Sequence, residues 1–331
     1  MSRFLPDTFT VMLVATVILA SFLPVSGVPA YYFGYATKIA IGLLFFLHGA
    51  RLSRDVVIAG LLHWKLHLTI LGATFILFPL LGLGTGLLVP AVLSPALYTG
   101  VLFLCVLPST VQSSIAFTSI AGGNVPAAIC SATASNILGM FLTPILAGVL
   151  LSAQGQAGFS LDSMQSILLQ LLAPFILGQI LQPWVGDFLR SKRKLLLPVD
   201  RGSILMVVYL AFSESVTEGL WRTISIRDLV VIIIIDILLL AIVLAVTMFG
   251  SRWAGFSKTD EIAITFCGSK KSLASGVPIA TVIFAGQSIG SIMLPLMLFH
   301  QIQLMVCAVI AQRYADTAKK TRAKAQPAVQ A

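Results

Sequence analysis

Lys270 and Lys271 are adjacent in a run, Glu261 to Phe284, whose other residues read as membrane core. A charged side chain at the centre of a bilayer costs about 2.5–3.5 kcal/mol even on the most permissive insertion scale. The pair must therefore face a protein-lined or watery cavity. Gly268, Ser269, Ser272 and Ser275 surround it and let a helix break or bend. A broken, charged membrane helix is the usual form of a solute-binding site; the alternative is a pair of lysines capping a loop between two short helices. A second interruption is expected at Pro108, which frees backbone groups and starts a half-helix whose first turn is Ser109, Thr110, Val111 and Gln112. The first turn after Gly268 holds Lys270, Lys271 and Ser272. Each half-helix N-terminus brings roughly half a positive charge. Reinforced by lysine, such a site favours a carboxylate, sulfonate or phosphate group.

The elements that carry these residues follow from composition. The chain has 331 residues, 58% hydrophobic and 10% charged, with a mean hydropathy of +0.99. Charged residues make up about 25% of an ordinary soluble domain, so this is a polytopic membrane protein. Its net charge of +9 sits in short segments between apolar runs and in the tail, with no basic face interleaved with aromatics, which excludes nucleic acid as a partner. Cys105, Cys130, Cys267 and Cys307 lie inside apolar segments and form no CxxC pair. Neither a disulfide framework nor a metal site is expected, and no cofactor.

Ten spans of about 20 apolar residues can be placed: near 8–25, 34–50, 66–90, 96–121 and 125–151, then 163–183, 198–216, 228–250, 258–285 and 288–313. The first is kept as a helix and not read as a signal peptide, because its apolar run exceeds an h-region of 7–15 residues. With both termini cytoplasmic, sixteen basic residues fall inside, only Arg222 and Arg227 fall outside, and Lys38, Lys270 and Lys271 fall within spans. That is a strong positive-inside bias, expected of a multi-pass protein of the cell (inner) membrane. Lys38, near the start of its span, is expected to snorkel.

Five spans followed by five must place the second half inverted relative to the first. Short internal matches agree: Cys105 to Ser114 leading to Ala121-Gly-Gly-Asn124, and Cys267 to Ser275 leading to Ala285-Gly-Gln-Ser288. The expected division is 1–151 as one five-helix repeat, 152–313 as its inverted partner, and 314–331 as a disordered basic cytoplasmic tail lying on anionic headgroups.

Several runs resemble the bile acid:sodium symporter family. Gly42 to Asp55 resembles the exit of its second helix, and Leu107-Pro-Ser-Thr-Val-Gln-Ser-Ser114 followed by Gly123-Asn124 resembles its crossover motif. Thr133 to Pro144 resembles its fifth helix, and Phe299-His300-Gln301 its last. The overall pattern is more similar to the divergent branch containing sodium/bile acid cotransporter 7 and its bacterial relatives. The resemblance implies an all-α membrane fold of ten helices in two inverted five-helix repeats, with helices four and nine broken and crossing at midmembrane. A panel and a core domain would rock about that site. The chain departs from the family where sodium-dependent members bind sodium: their Glu corresponds to Phe266, their Gln to Lys270 and a third-helix Gln to Thr74. A sodium site needs oxygen ligands, and an ammonium repels a second cation, so sodium coupling through that site is not expected.

The expected activity is secondary active transport of small organic anions by alternating access, proton-coupled or uncoupled. The binding residues would be Pro108, Ser109, Thr110, Gln112, Ser113, Ser114, Asn124, Lys270, Lys271, Ser272, His300 and Gln301. Ser113 and Ser114 could equally be helix-packing contacts, and His300 a satisfied interior histidine. Lys270 is favoured as the group standing at the former cation position, either as a fixed charge or as a proton carrier. Lys271 would pair with an acid; Glu214 and Asp236 are the candidates within spans, Asp236 otherwise making a packing hydrogen bond. No HExxH, GxSxG or aspartate-rich motif indicates an enzyme. The competing reading is a transporter-like regulator of ion homeostasis with little net transport.

Overall fold

The computed structural model describes residues 8–51, 63–152, 161–217, 219, 224–284 and 289–325, and among them every regular element is helical. The helices are α1 (Thr8–Phe22), α2 (Gly27–Arg51), α3 (Trp64–Gly72), α4 (Phe78–Gly84), α5 (Pro95–Val106), α6 (Gln112–Ile120) and α7 (Val125–Ser152). They continue as α8 (Leu161–Ser191), α9 (Arg193–Thr217), α10 (Ile226–Trp253), α11 (Lys258–Gly268), α12 (Leu273–Ile283) and α13 (Ile289–Ala325). A π-helical stretch, Ala73–Leu77, joins α3 to α4 in one line.

Among the described residues, six helical segments are long and apolar enough to cross a membrane: Gly27–Arg51, Trp64–Leu88, Val125–Leu151, Leu196–Thr217, Ile226–Trp253 and Ile289–Ala318. Each coincides with one of the expected spans. On α10, Ile232, Ile235, Leu239 and Val243 are buried while Val230, Ile234, Ile237 and Leu238 are exposed. Both faces are apolar, as a helix between protein and lipid requires. The last helix continues to Ala325, so the expected disorder is not found over 314–325. Residues 326–331 lie outside the described part, as does the expected Ala285-Gly-Gln-Ser288 turn.

Contacts sort the helices into two groups. Helices α1, α2, α8 and α9 pack on one another, and α3 to α7 pack with α10 to α13. Helix α9 touches α12 and α13, and α8 touches α7 and α12. Within the first group α2 and α8 approach closely at glycines: a Cβ on Gly49 would run into the Phe175 carbonyl, and one on Gly178 into the Phe46 carbonyl. Without a hydrophobic drive between helices in lipid, such backbone approach is what holds a pair together. Arg51 on α2 and Asp200 on α9 close the same end with a two-pronged ion pair, at 2.6 and 3.2 Å.

The second group is built around two interruptions. Helix α5 ends at Val106 and α6 begins at Gln112, with Leu107 extended at φ −72°, ψ 154°. Helix α11 ends at Gly268 and α12 begins at Leu273. Gly139 on α7 lets that helix lie directly against the first break, since a Cβ there would come within 2.5 Å of Pro108.

Candidate functional site

The two breaks meet. The Ser272 amide donates to the Pro108 carbonyl at 2.8 Å, and each break supplies the polar groups that the other lacks. Proline is the origin of the deficit. In the π-helical stretch the Phe78 amide donates to Ala73 O, and Pro79 has no N–H to offer Thr74 O. At the first break Pro108 has no N–H, and the Ser109 amide donates to Ser135 Oγ at 3.1 Å. The carbonyls of Thr74 and Cys105 are thus left without backbone donors, in a region where a buried unpaired polar group is costly.

Lys271 supplies them. Its Nζ donates to Thr74 O at 2.8 Å, Cys105 O at 2.7 Å and Leu107 O at 2.7 Å. An ammonium has three donors, and all three are used. The Phe78 ring lies 4.2 Å away on one side, and the side chain has no exposed surface. Two of the acceptors end α5, whose C-terminal dipole favours a cation. Thr143 Oγ1 takes the remaining carbonyl of that turn, Val106 O, at 2.8 Å.

The carbonyls at the end of α11 are capped from the first break in return. Ser109 Oγ donates to Cys267 O at 2.5 Å and Ser114 Oγ to Phe266 O at 3.1 Å. Ser269 Oγ takes Thr265 O at 2.6 Å. Thr110 Oγ1 and Ser113 Oγ lie 2.6 Å apart, and Thr110 also lies 3.1 Å from Ser114. Ser272 caps α12 by accepting from the Ser275 amide at 3.2 Å, and Ser275 Oγ donates to Asn136 Oδ1 at 2.7 Å.

Gln303 on α13 holds the second break. Its Oε1 accepts from the Lys271 amide and its Nε2 donates to the Lys271 carbonyl, each at 2.9 Å. The same Nε2 lies 2.9 Å from His300 Nδ1. That contact makes Nδ1 the acceptor and puts the ring proton on Nε2.

Several expected residues stand elsewhere. Lys270 points away from the carbonyl cluster that Lys271 fills, and the partners of Lys271 are carbonyls where an acid was expected. Lys270 Nζ is fully buried with no hydrogen-bond partner among the described residues. It lies 3.8 Å from the Phe117 ring centre and 5.7 Å from that of Phe266, with the Cys267 and Cys307 thiols nearby. Gln112 is exposed. Gln301 is half-buried; one turn from His300, the i+3 residue Gln303 faces the break instead. Asn124 acts at the far end of α6, where Nδ2 donates to Asp260 at 2.7 Å and Oδ1 accepts from the Ala127 amide at 3.1 Å.

Neither candidate acid is ion-paired with Lys270 or Lys271 among the described residues. Asp236 is fully buried on α10, near Cys105, and among the described residues neither carboxyl oxygen has a hydrogen-bond partner, so neither a charge pair nor the alternative packing hydrogen bond is seen there. Glu214 lines a cleft of about 460 Å³ between the two helix groups, together with Tyr31, Tyr35, Lys38 and Thr281. Lys38 lines this cleft too, with its Nζ 5.6 Å from the Tyr35 ring centre. Toward the other end of α11, Glu261 Oε1 accepts from Arg252 at 2.9 Å, Lys258 at 2.8 Å and the Tyr314 hydroxyl at 2.8 Å.

A family model described as the SBF-like CPA transporter family matches residues 7–316. The chain belongs to that family. It is 57% identical over 313 residues to the uncharacterized protein PA2026 of Pseudomonas aeruginosa, covering 95% of this chain and 94% of that one. It is 51% identical over 318 residues to the Escherichia coli protein YfeH, which carries a provisional symporter name, with 96% of each covered. The sodium/bile acid cotransporter 7 of Rattus norvegicus is 28% identical over 275 residues, 82% of this chain and 81% of that protein. Family membership and the long apolar helices together make this a multi-pass membrane protein of a transporter family.

Proposed function

We propose that the chain is a secondary active transporter that carries small organic anions across the cell (inner) membrane by alternating access, uncoupled or coupled to protons. The observation that carries this reading is the meeting of two broken helices around two buried lysines. Interrupted helices are the form in which transporters expose charge and backbone to a solute. Lys271 balances the carbonyls; Lys270, with no hydrogen-bond partner among the described residues, is the cation left for an anionic group. In this reading ten spans form two inverted five-helix repeats, 1–151 and 152–313, with both termini cytoplasmic and the basic segment after 313 on the headgroups. The groups α1, α2, α8, α9 and α3–α7, α10–α13 are the bodies that rock, and the cleft with Lys38 and Glu214 lies between them. Ser109, Ser113, Ser114, Thr110 and His300 position the breaks and can re-aim toward solute when these bodies move.

Sodium is not needed in this scheme, because Lys271 already places a positive charge among the carbonyls. One observation favours the second reading, a regulator of ion homeostasis with little net transport: Ser109, Ser114 and Lys271 already hold protein carbonyls. Flux separates the two. Purified protein in liposomes should take up organic anions such as bile salts or dicarboxylates at equal rates in sodium and potassium. Strict sodium dependence would overturn the coupling assignment, and absence of flux for every anion class would favour the regulator.

A further inference from the structure

The oxygens of Thr74, Cys105 and Leu107 converge on one point from two separate helix interruptions, and what sits there is an ammonium joined to the chain. We propose that these three carbonyls form a monovalent-cation site that Lys271 plugs covalently, and that a free cation of ammonium or potassium size occupies it once the side chain is cut back. Backbone carbonyls replace the hydration shell of an alkali cation in the same way. The chemistry of the donors fixes the class. None of the three is a carboxylate, whereas hard divalent ions are held by carboxylate oxygens. The Phe78 face, 4.2 Å from Nζ, adds the attraction that aromatic rings offer a diffuse monovalent cation. Separations of 2.7 to 2.8 Å leave a hole sized for ammonium; sodium, with shorter oxygen contacts, fits it less well.

The hole does not depend on the lysine for its origin. Pro79 and Pro108 remove backbone donors by their position in the chain, and Gly82 and Gly139 fix how closely the walls approach Cys105 and Pro108. The cavity left by a shortened side chain would therefore keep its unpaired oxygens. The site itself stands on this geometry alone; only its consequence rests on the transporter reading, namely that a tethered cation cannot leave and so cannot couple solute movement to a cation gradient.

The test is the melting temperature of purified Lys271→Ala in chloride salts of potassium, ammonium, sodium and choline at equal ionic strength. Potassium and ammonium should raise it saturably, sodium less, and choline not at all, while wild type and Lys271→Met respond alike to all four. Equal melting of Lys271→Ala in every salt overturns the proposal, as does the same potassium response in wild type. Failure of Lys271→Ala to fold even in potassium or ammonium also overturns it, because an available site would then be filled. Loss of the cation effect with wild-type flux intact defeats this inference and leaves the transport reading standing. A cation effect in a protein without flux does the reverse.

Discussion

The side-chain amide of Gln303 brackets the backbone of Lys271, accepting from its N–H and donating to its C=O at 2.9 Å each. The lysine is thereby fixed at its backbone by one helix and at its ammonium by carbonyls from two others.

Gln303→Leu strands both backbone groups in a buried site, at about 1–3 kcal/mol for each. A lowered melting temperature in detergent is the expected result. Gln301→Leu, at the half-buried neighbouring position, should stay within about 0.5 kcal/mol of wild type. Equal effects at 301 and 303 would remove the bracket from the account.

Topology can be read independently of any solute. From the sixteen-to-two distribution of basic residues, the proposed topology expects residues 184–201 in the cytoplasm and the segment around Ala157 outside. Single cysteines at Ser191 and Ala157 should react with membrane-impermeant reagents from opposite sides. Cys105, Cys267 and Cys307 are buried, and the half-buried Cys130 is replaced by serine in the background. Labelling of both sites from one side would remove the ten-span arrangement and the inverted repeat with it.

The breaks were legible because their causes are local. Pro108 and the run Gly268 to Ser272 mark the helix ends to within a few residues. The partnership between them was not, because it depends on which way side chains turn. Lys270 and Lys271 are chemically identical neighbours in the non-helical stretch between α11 and α12, and only the backbone path through that break sends one to the carbonyls and the other to Phe117. A usable signal was present: Pro79 and Pro108 each delete a donor, so the carbonyls of Thr74 and Cys105 must seek one elsewhere. Gln303 follows from the same kind of argument, as the residue at i+3 from His300 that shares its face. The cleft residues Lys38 and Glu214 come together from distant spans, and no short-range pattern announces that.

Lys38 tests the cleft. If it draws an anion into the space between the two helix groups, Lys38→Gln should raise the KM for uptake about tenfold, by loss of local attraction. The kcat should change little, because the crossing lies at the other end of α12, and Lys38→Arg should restore KM. The measurement is concentration-dependent uptake into vesicles with the cleft facing the medium. A fall in kcat at unchanged KM would mean that Lys38 acts on the conformational change and not on recruitment.

The two lysines should separate cleanly in stability and in function. Lys271→Met leaves the oxygens of Thr74, Cys105 and Leu107 without a donor, which costs about 1–3 kcal/mol apiece and lowers the melting temperature. Lys270→Met removes a buried cation that has no hydrogen-bond partner among the described residues. Replacing a poorly compensated buried charge by an apolar side chain of similar length is neutral or stabilising, so this variant should melt at or above wild type. It should nevertheless lose anion uptake if Lys270 is the cation that meets the solute, as proposed. Substitution by arginine then divides the remaining mechanisms. Arg keeps the charge but releases no proton in the accessible range. Uptake restored in Lys270→Arg indicates a fixed charge, whereas uptake that survives only with lysine indicates proton release or a tight steric fit. Normal uptake in Lys270→Met would take the solute site away from this residue, and equal destabilisation by the two Met substitutions would contradict the different surroundings of the two ammonium groups.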